Sequence, residues 1–118
     1  MNSNNNSRAD LFKSGELIDL SKHSAFAKFQ APIAATKAVS QIISQYPNTD
    51  IRWEEIAENA LIAANKNPDD TVVYFSVLLP SHKSREHDYA AFKMTISPDE
   101  YLKPTITISR LNEKQLTG

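Results

Sequence analysis

The chain has no cysteine among its 118 residues, and that absence removes several classes of protein at once. A disulfide scaffold, a thiolate nucleophile and a cysteine-ligated zinc site are all excluded. Glycine occurs only twice, as Gly15 and Gly118. The loops that cradle nucleotide phosphates need several glycines for close backbone approach, so nucleotide-dependent enzymes of those types are set aside. No apolar run approaches the ~20 residues that span a bilayer. Charge of neither sign dominates: 13 Lys and Arg stand against 14 Asp and Glu, a formal net charge of −1. Extensive phosphate binding would need a basic excess, and mimicry of DNA an acidic one. The Asn- and Ser-rich start, Met1 to Ser7, lacks the basic and apolar regions of a secretory signal. Together with the missing cysteines it points to a cytoplasmic protein.

What is present is ordinary globular material, 41% hydrophobic and 23% charged, in a length that suits one domain. Residues 1–10 are too polar to offset their ordering entropy and are expected to be a disordered tail. The domain is expected over 11–113, with 114–118 as a C-terminal tail. Glu16 to Leu20 reads as a short strand, and Ser21 as the cap of a helical turn that carries Phe26 and Phe29 on one side. Val39, Ile42, Ile43 and Tyr46 fall on one helical stripe behind Thr36 as N-cap. A second helix, capped by Thr49 or Asp50, buries Trp53, Ile56, Ala57, Ala60 and Ala64. Three strands follow. Thr71 to Leu79 is apolar on both faces and reads as a central strand. Tyr89 to Ile96 alternates, with Ala90, Phe92, Met94 and Ile96 inward and Tyr89, Ala91, Lys93 and Thr95 outward. Thr105 to Leu111 alternates too, and Pro104 before it suggests an edge. The expected fold is α+β, a three- to four-stranded and mostly antiparallel sheet with two helices packed on one face.

A family resemblance is carried by Gly15-Glu16-Leu17-Ile18-Asp19-Leu20-Ser21, then Phe29, Pro32-Ile33-Ala34-Ala35-Thr36 and Val39. It continues through the Trp53 helix, the strand Val72 to Pro80, Phe92-Lys93 and Pro104-Thr105-Ile106-Thr107-Ile108. In this order the segments resemble a family of short proteins of unknown function carried by bacterial plasmids, phages and related mobile elements. Ser40 and Gln41 stand where the family often has an aromatic residue. The resemblance implies a mobile-element setting. It supplies no catalytic residues and no cofactor.

The chemistry-bearing side chains concentrate in the loop Ser81 to Asp88. His82 and His87 with Glu86 and Asp88 could in principle hold a divalent metal or move protons, but their spacing fits no compact metal signature and no nucleophile accompanies them. Lys83 and Arg85 could meet a phosphate or an acidic protein, or simply keep a hairpin tip soluble. Glu54, Glu55, Glu58, Asp69 and Asp70 read as a solvated acidic face. The candidate binding surface is therefore His82, Lys83, Arg85, His87, Tyr89 and Lys93. The function expected is that of a non-enzymatic accessory protein acting by protein–protein binding, with interference in a host defence such as CRISPR or restriction as one version. A small nucleic-acid-binding or regulatory module is the alternative, and a metal-dependent hydrolase on His82 and His87 comes third. The expected partner is a host or element-encoded protein, with no membrane contact. An unpaired edge strand or uncovered sheet face would also serve a homodimer.

Overall fold

A computed structural model describes residues 7–80 and 87–113. In chain order the elements are α1 (Arg8–Ser14), β1 (Leu17–Asp19), a 3-10 turn (Ser24–Phe26), β2 (Ile33–Thr36), α2 (Lys37–Ser44), α3 (Thr49–Lys66), β3 (Val72–Pro80), β4 (His87–Pro98) and β5 (Pro104–Arg110). The strands form one sheet in the order β1-β2-β5-β4-β3. All neighbours are antiparallel except β2 and β5, which run parallel with Ile33 opposite Ile106 and Ala35 opposite Ile108. The fold is α+β as expected. The sheet, however, has five strands rather than three or four and is mixed, and a third helix is present.

The differences have local causes. Helix α1 begins inside the stretch expected to be a tail, because Ser7 and Asp10 close a capping box: the Ser7 hydroxyl accepts from the Asp10 N–H at 3.1 Å and the Asp10 carboxylate accepts from the Ser7 N–H at 3.3 Å. The helix stops at Gly15, whose φ of 82° is left-handed. Strand β2 is only four residues long and buried on both sides, so its Ile-Ala-Ala-Thr sequence shows no alternation to read. Ser21 does not cap the 3-10 turn. Its hydroxyl accepts from the Ile33 N–H at 3.0 Å, and the His23 ring caps the turn, accepting from the Ala25 N–H at 3.1 Å. With Nδ1 as acceptor the His23 proton lies on Nε2, 3.2 Å from the Asp50 carboxylate, which ties the turn to α3. Thr36 caps α2 as expected. Helix α3 is capped by Asn48 rather than by Thr49 or Asp50, with Asn48 in the left-handed conformation and making no side-chain cap bond.

Helices α2 and α3 and the 3-10 turn share one core with the sheet. Phe26, Val39, Ile43, Trp53, Ile56 and Ala60 pack against Phe75, Val77, Phe92, Met94, Ile106 and Ile108, with Ile42 partly buried at the margin. Phe75 and Phe92 sit opposite each other in the register, ring centroids 5.6 Å apart. On the other face α1 forms a second, small cluster, in which Leu11 packs with Leu17 and Ala34 and Phe12 lies alongside. That cluster belongs to the β1-β2 end of the sheet. Pro104 is not at a sheet edge: β5 lies between β2 and β4, and the proline is tolerated there as the first residue of the strand.

Phe92 is fully buried at the centre of the larger core. Phe92→Ala is expected to cost roughly 3–5 kcal/mol, read as a lower urea midpoint at unchanged slope.

Candidate functional site

Strand β3 is the informative element. Its sequence reads as central, yet it is the outermost strand of the sheet, and among the described residues nothing pairs with its far side. Val73, Phe75, Val77 and Leu79 face the core. The other set faces outward, on the side that α1 covers only at the opposite end. Val72 is 38% exposed, Tyr74 63% and Leu78 42%, and Tyr89 on β4, opposite Leu78, is 77% exposed. Ser76 and Ala91 are exposed between them. Two adjacent strands thus present an open strip of aliphatic and tyrosine side chains.

The backbone of β3 can be assigned as well. The Ile96 N–H donates to the Thr71 carbonyl at 2.7 Å, which makes that pair a hydrogen-bonded one. Pairs alternate along an antiparallel ladder, so residues 73, 75, 77 and 79 bond to β4. The N–H and C=O groups of Val72, Tyr74, Ser76 and Leu78 then point away from the sheet. The Leu111 N–H, 3.2 Å from the Ala91 carbonyl, gives the same phase on the far side of β4, since Ala91 lies opposite Ser76.

Toward β5 the outer face closes into a groove. Helix α1 roofs it and the alternate residues of β4 and β5 floor it: Lys93, Thr95 and Ser97 beside Ser109, Thr107 and Thr105. The cavity is about 200 Å³. Arg8 reaches from α1 to the floor, donating from Nη1 to the Thr107 hydroxyl at 2.8 Å and from Nη2 to the Ile106 carbonyl at 2.8 Å. Its guanidinium also lies 5.5 Å from the centroid of the Phe12 ring. Burial pushes the Arg8 pKa down, and the Asp19 and Asp99 carboxylates push it back up. An arginine so placed stays charged at neutral pH. At the far end Glu113 acts as a clasp. Its carboxylate accepts from the Thr36 hydroxyl at 2.8 Å and the Arg110 N–H at 3.0 Å, while its carbonyl accepts from the Lys93 ammonium at 3.2 Å.

These side chains can accept and donate hydrogen bonds, but the groove's lining contains neither His nor Cys. Among the described residues no group of three or more His, Cys, Asp or Glu could hold a metal, and no helix is long and apolar enough to cross a membrane. Of the surface expected from sequence, His82, Lys83 and Arg85 lie outside the described residues. His87 enters by its backbone alone, opposite Pro80 at the end of the β3-β4 ladder. Tyr89 is exposed on the open strip, whereas Lys93 is half-buried and engaged with Glu113. Sequence reasoning missed Val72, Tyr74 and Leu78 as surface residues, because an apolar outer face suggests a covered strand. It also missed Arg8. The one available signal was Ser7 three residues before Asp10, just ahead of Leu11 and Phe12. Comparison with family models, with curated proteins and with solved structures returned no match.

Arg8 is the only described link by side-chain hydrogen bonds between α1 and the groove floor. Arg8→Met, which keeps the stem and removes both bonds, is expected to cost about 1.5–3 kcal/mol. Chemical denaturation reads that loss, and faster amide exchange should appear in α1 ahead of the rest of the domain.

Proposed function

We propose that the chain is a non-enzymatic accessory protein that works by binding another protein through the open strip of β3 and β4. What carries this reading is the exposed cluster of Val72, Tyr74, Leu78 and Tyr89 on two paired strands. Large apolar side chains gathered on one uncovered face mark a contact surface more often than chance exposure does. Tyrosine suits the purpose, since it offers broad apolar area and a hydroxyl at small entropic cost. No charged side chain lies among these four residues, and Lys93, opposite Tyr74 on the same face, is half-buried and engaged with the Glu113 carbonyl, so the matching partner surface is mainly apolar. The segment order from Gly15 to Ile108 supports a mobile-element setting. In that setting the partner is a host or element-encoded protein, and a component of a defence system such as CRISPR or restriction is one concrete version.

Nucleic-acid binding has less to rest on. Lys93 is the one cation on the described strip's own strand, and its ammonium is engaged with the Glu113 carbonyl.

Ala91 is exposed on β4 midway along the strip and opposite Ser76, so it tests the face without touching the outer edge of β3. Capture of a defined, stoichiometric protein by the wild-type chain is expected to survive nuclease treatment. Ala91→Glu should abolish that capture while leaving the circular dichroism spectrum unchanged. Glu58→Ala, an exposed change on α3, should leave the capture intact. Capture that vanishes with nuclease, or that ignores Ala91→Glu, defeats the proposal.

A further inference from the structure

We infer that the outer edge of β3 pairs with β3 of a second copy of this chain, antiparallel and centred on Ser76. The inference concerns the edge of the sheet, whereas the proposed function concerns its face, so either can fail without the other.

The first observation is what the edge lacks. Natural edge strands are shielded by lysines, inward charges, bulges or prolines. Val72 to Pro80 runs nine residues with no charged side chain, no bulge in its pairing to β4, and a proline only at the end. The second is that the strand's composition, apolar on both faces, is that of a strand with neighbours on both sides. The third is that the edge fits itself. The outward N–H and C=O groups belong to Val72, Tyr74, Ser76 and Leu78, all of one parity. A two-fold axis through Ser76 therefore brings outward groups onto outward groups. Ser76 meets Ser76 of the second copy, Tyr74 meets Leu78, and Val72 meets Pro80.

Counting reciprocal bonds, the Ser76 pair supplies two, the two Tyr74–Leu78 pairs four and the two Val72–Pro80 pairs two, about eight in all. A typical protein interface carries about ten. Proline 80 has no N–H to give, which ends the ladder where the strand ends. Self-pairing opposes no like charges, since the strand has none. It also sets Tyr74 against Leu78 on the open face, an aromatic–aliphatic pair of the sort that stabilises sheets.

The joined sheet changes what the face can do. One strip, two strands wide and nine residues long, measures roughly 30 Å by 10 Å, about 300 Å². A standard interface takes about 800 Å² from each partner. Two strips side by side across the axis approach that size, with both copies of Tyr74 and Tyr89 on one surface.

The absence of native cysteine makes the test direct. Ser76→Cys gives the chain a single thiol at the axis, and a short thiol–thiol cross-linker is expected to convert it to a species of twice the 13.2 kDa chain mass. Lys13→Cys, exposed on α1 at the other end of the sheet, should cross-link no more than collision allows. Light scattering at high micromolar concentration should find a dimer for the wild-type chain. Tyr74→Pro removes an outward N–H that the fold itself does not use, and Ser76→Lys puts two ammonium groups at the axis. Both are expected to give folded monomers. Should Tyr74→Pro fail to fold, Ser76→Lys alone decides. A monomeric wild-type chain, a dimer untouched by Ser76→Lys, or equal cross-linking from Ser76→Cys and Lys13→Cys overturns the inference. So does a monomer whose β3 edge is taken by a strand of a different protein.

Discussion

Coverage is the constraint from which the rest of this molecule follows. Helices α2 and α3 lie on one face of the sheet, and together with the 3-10 turn they bury most of it, leaving Ala90 and Ile96 of β4 only partly covered. The opposite face has only α1, whose seven residues span about 10 Å. Five strands are about 20 Å across. Arg8 fixes where that short helix sits, because its guanidinium is held by the Thr107 hydroxyl and the Ile106 carbonyl. The helix therefore covers β1, β2 and β5 and borders the groove over Lys93, Thr95 and Ser97 of β4, and β3 with the Tyr89–Ala91 end of β4 stays bare. The residues there are not the polar ones that a bare face usually carries. Val72, Tyr74, Leu78 and Tyr89 occupy it, which is why this end of the sheet reads as a contact surface rather than as a solvated one.

Much of the fold was legible because periodicity and burial agree. The Val39-Ile42-Ile43 stripe, the Trp53-Ile56-Ala60 stripe and the alternation of β4 each mark an element with one buried side. Reading failed where that agreement breaks. Strand β2 is buried on both faces and too short to alternate, so it passed unseen. Helix α1 is short and amphipathic only through Leu11 and Phe12, with the rest of its evidence lying in the Ser7–Asp10 cap. The parallel β2-β5 pairing joins segments far apart in sequence, and nothing local announces it. For β3 the apolar pattern is plain in the sequence, but the central position it suggests is not the one the strand occupies. Two apolar faces imply two covers, and the sequence does not say whether the second cover comes from the same chain. Of the site, Tyr89 was legible as outward-facing, and Lys93 too, but Lys93's engagement by Glu113 depends on a turn that only the fold brings near.

The groove and the strip are different in kind. In the groove, Thr36, Thr105, Arg8, Lys93 and Glu113 hydrogen-bond with the protein itself. Their geometry serves to hold α1 and the chain after β5 against the sheet. The strip and the outer edge of β3 have no such internal use. Polar groups that satisfy one another build architecture; surface left unsatisfied is where affinity for another molecule has to come from.

Strand β5 has a consequence for how the protein is made. It comes last among the strands but sits in the middle of the sheet, between the β1-β2 hairpin and the β3-β4 hairpin. A nascent chain that has not yet delivered Pro104 to Arg110 holds two strand pairs with no strand between them, linked only through the packing of α3 on β3 and on the 3-10 turn. The part of the core lined by Ile106 and Ile108 cannot close until this strand has been made. Contacts between such distant segments form slowly, and the waiting β3-β4 hairpin exposes its apolar strands on the ribosome. Dependence on a holding chaperone during synthesis is the expected biological signature of this topology.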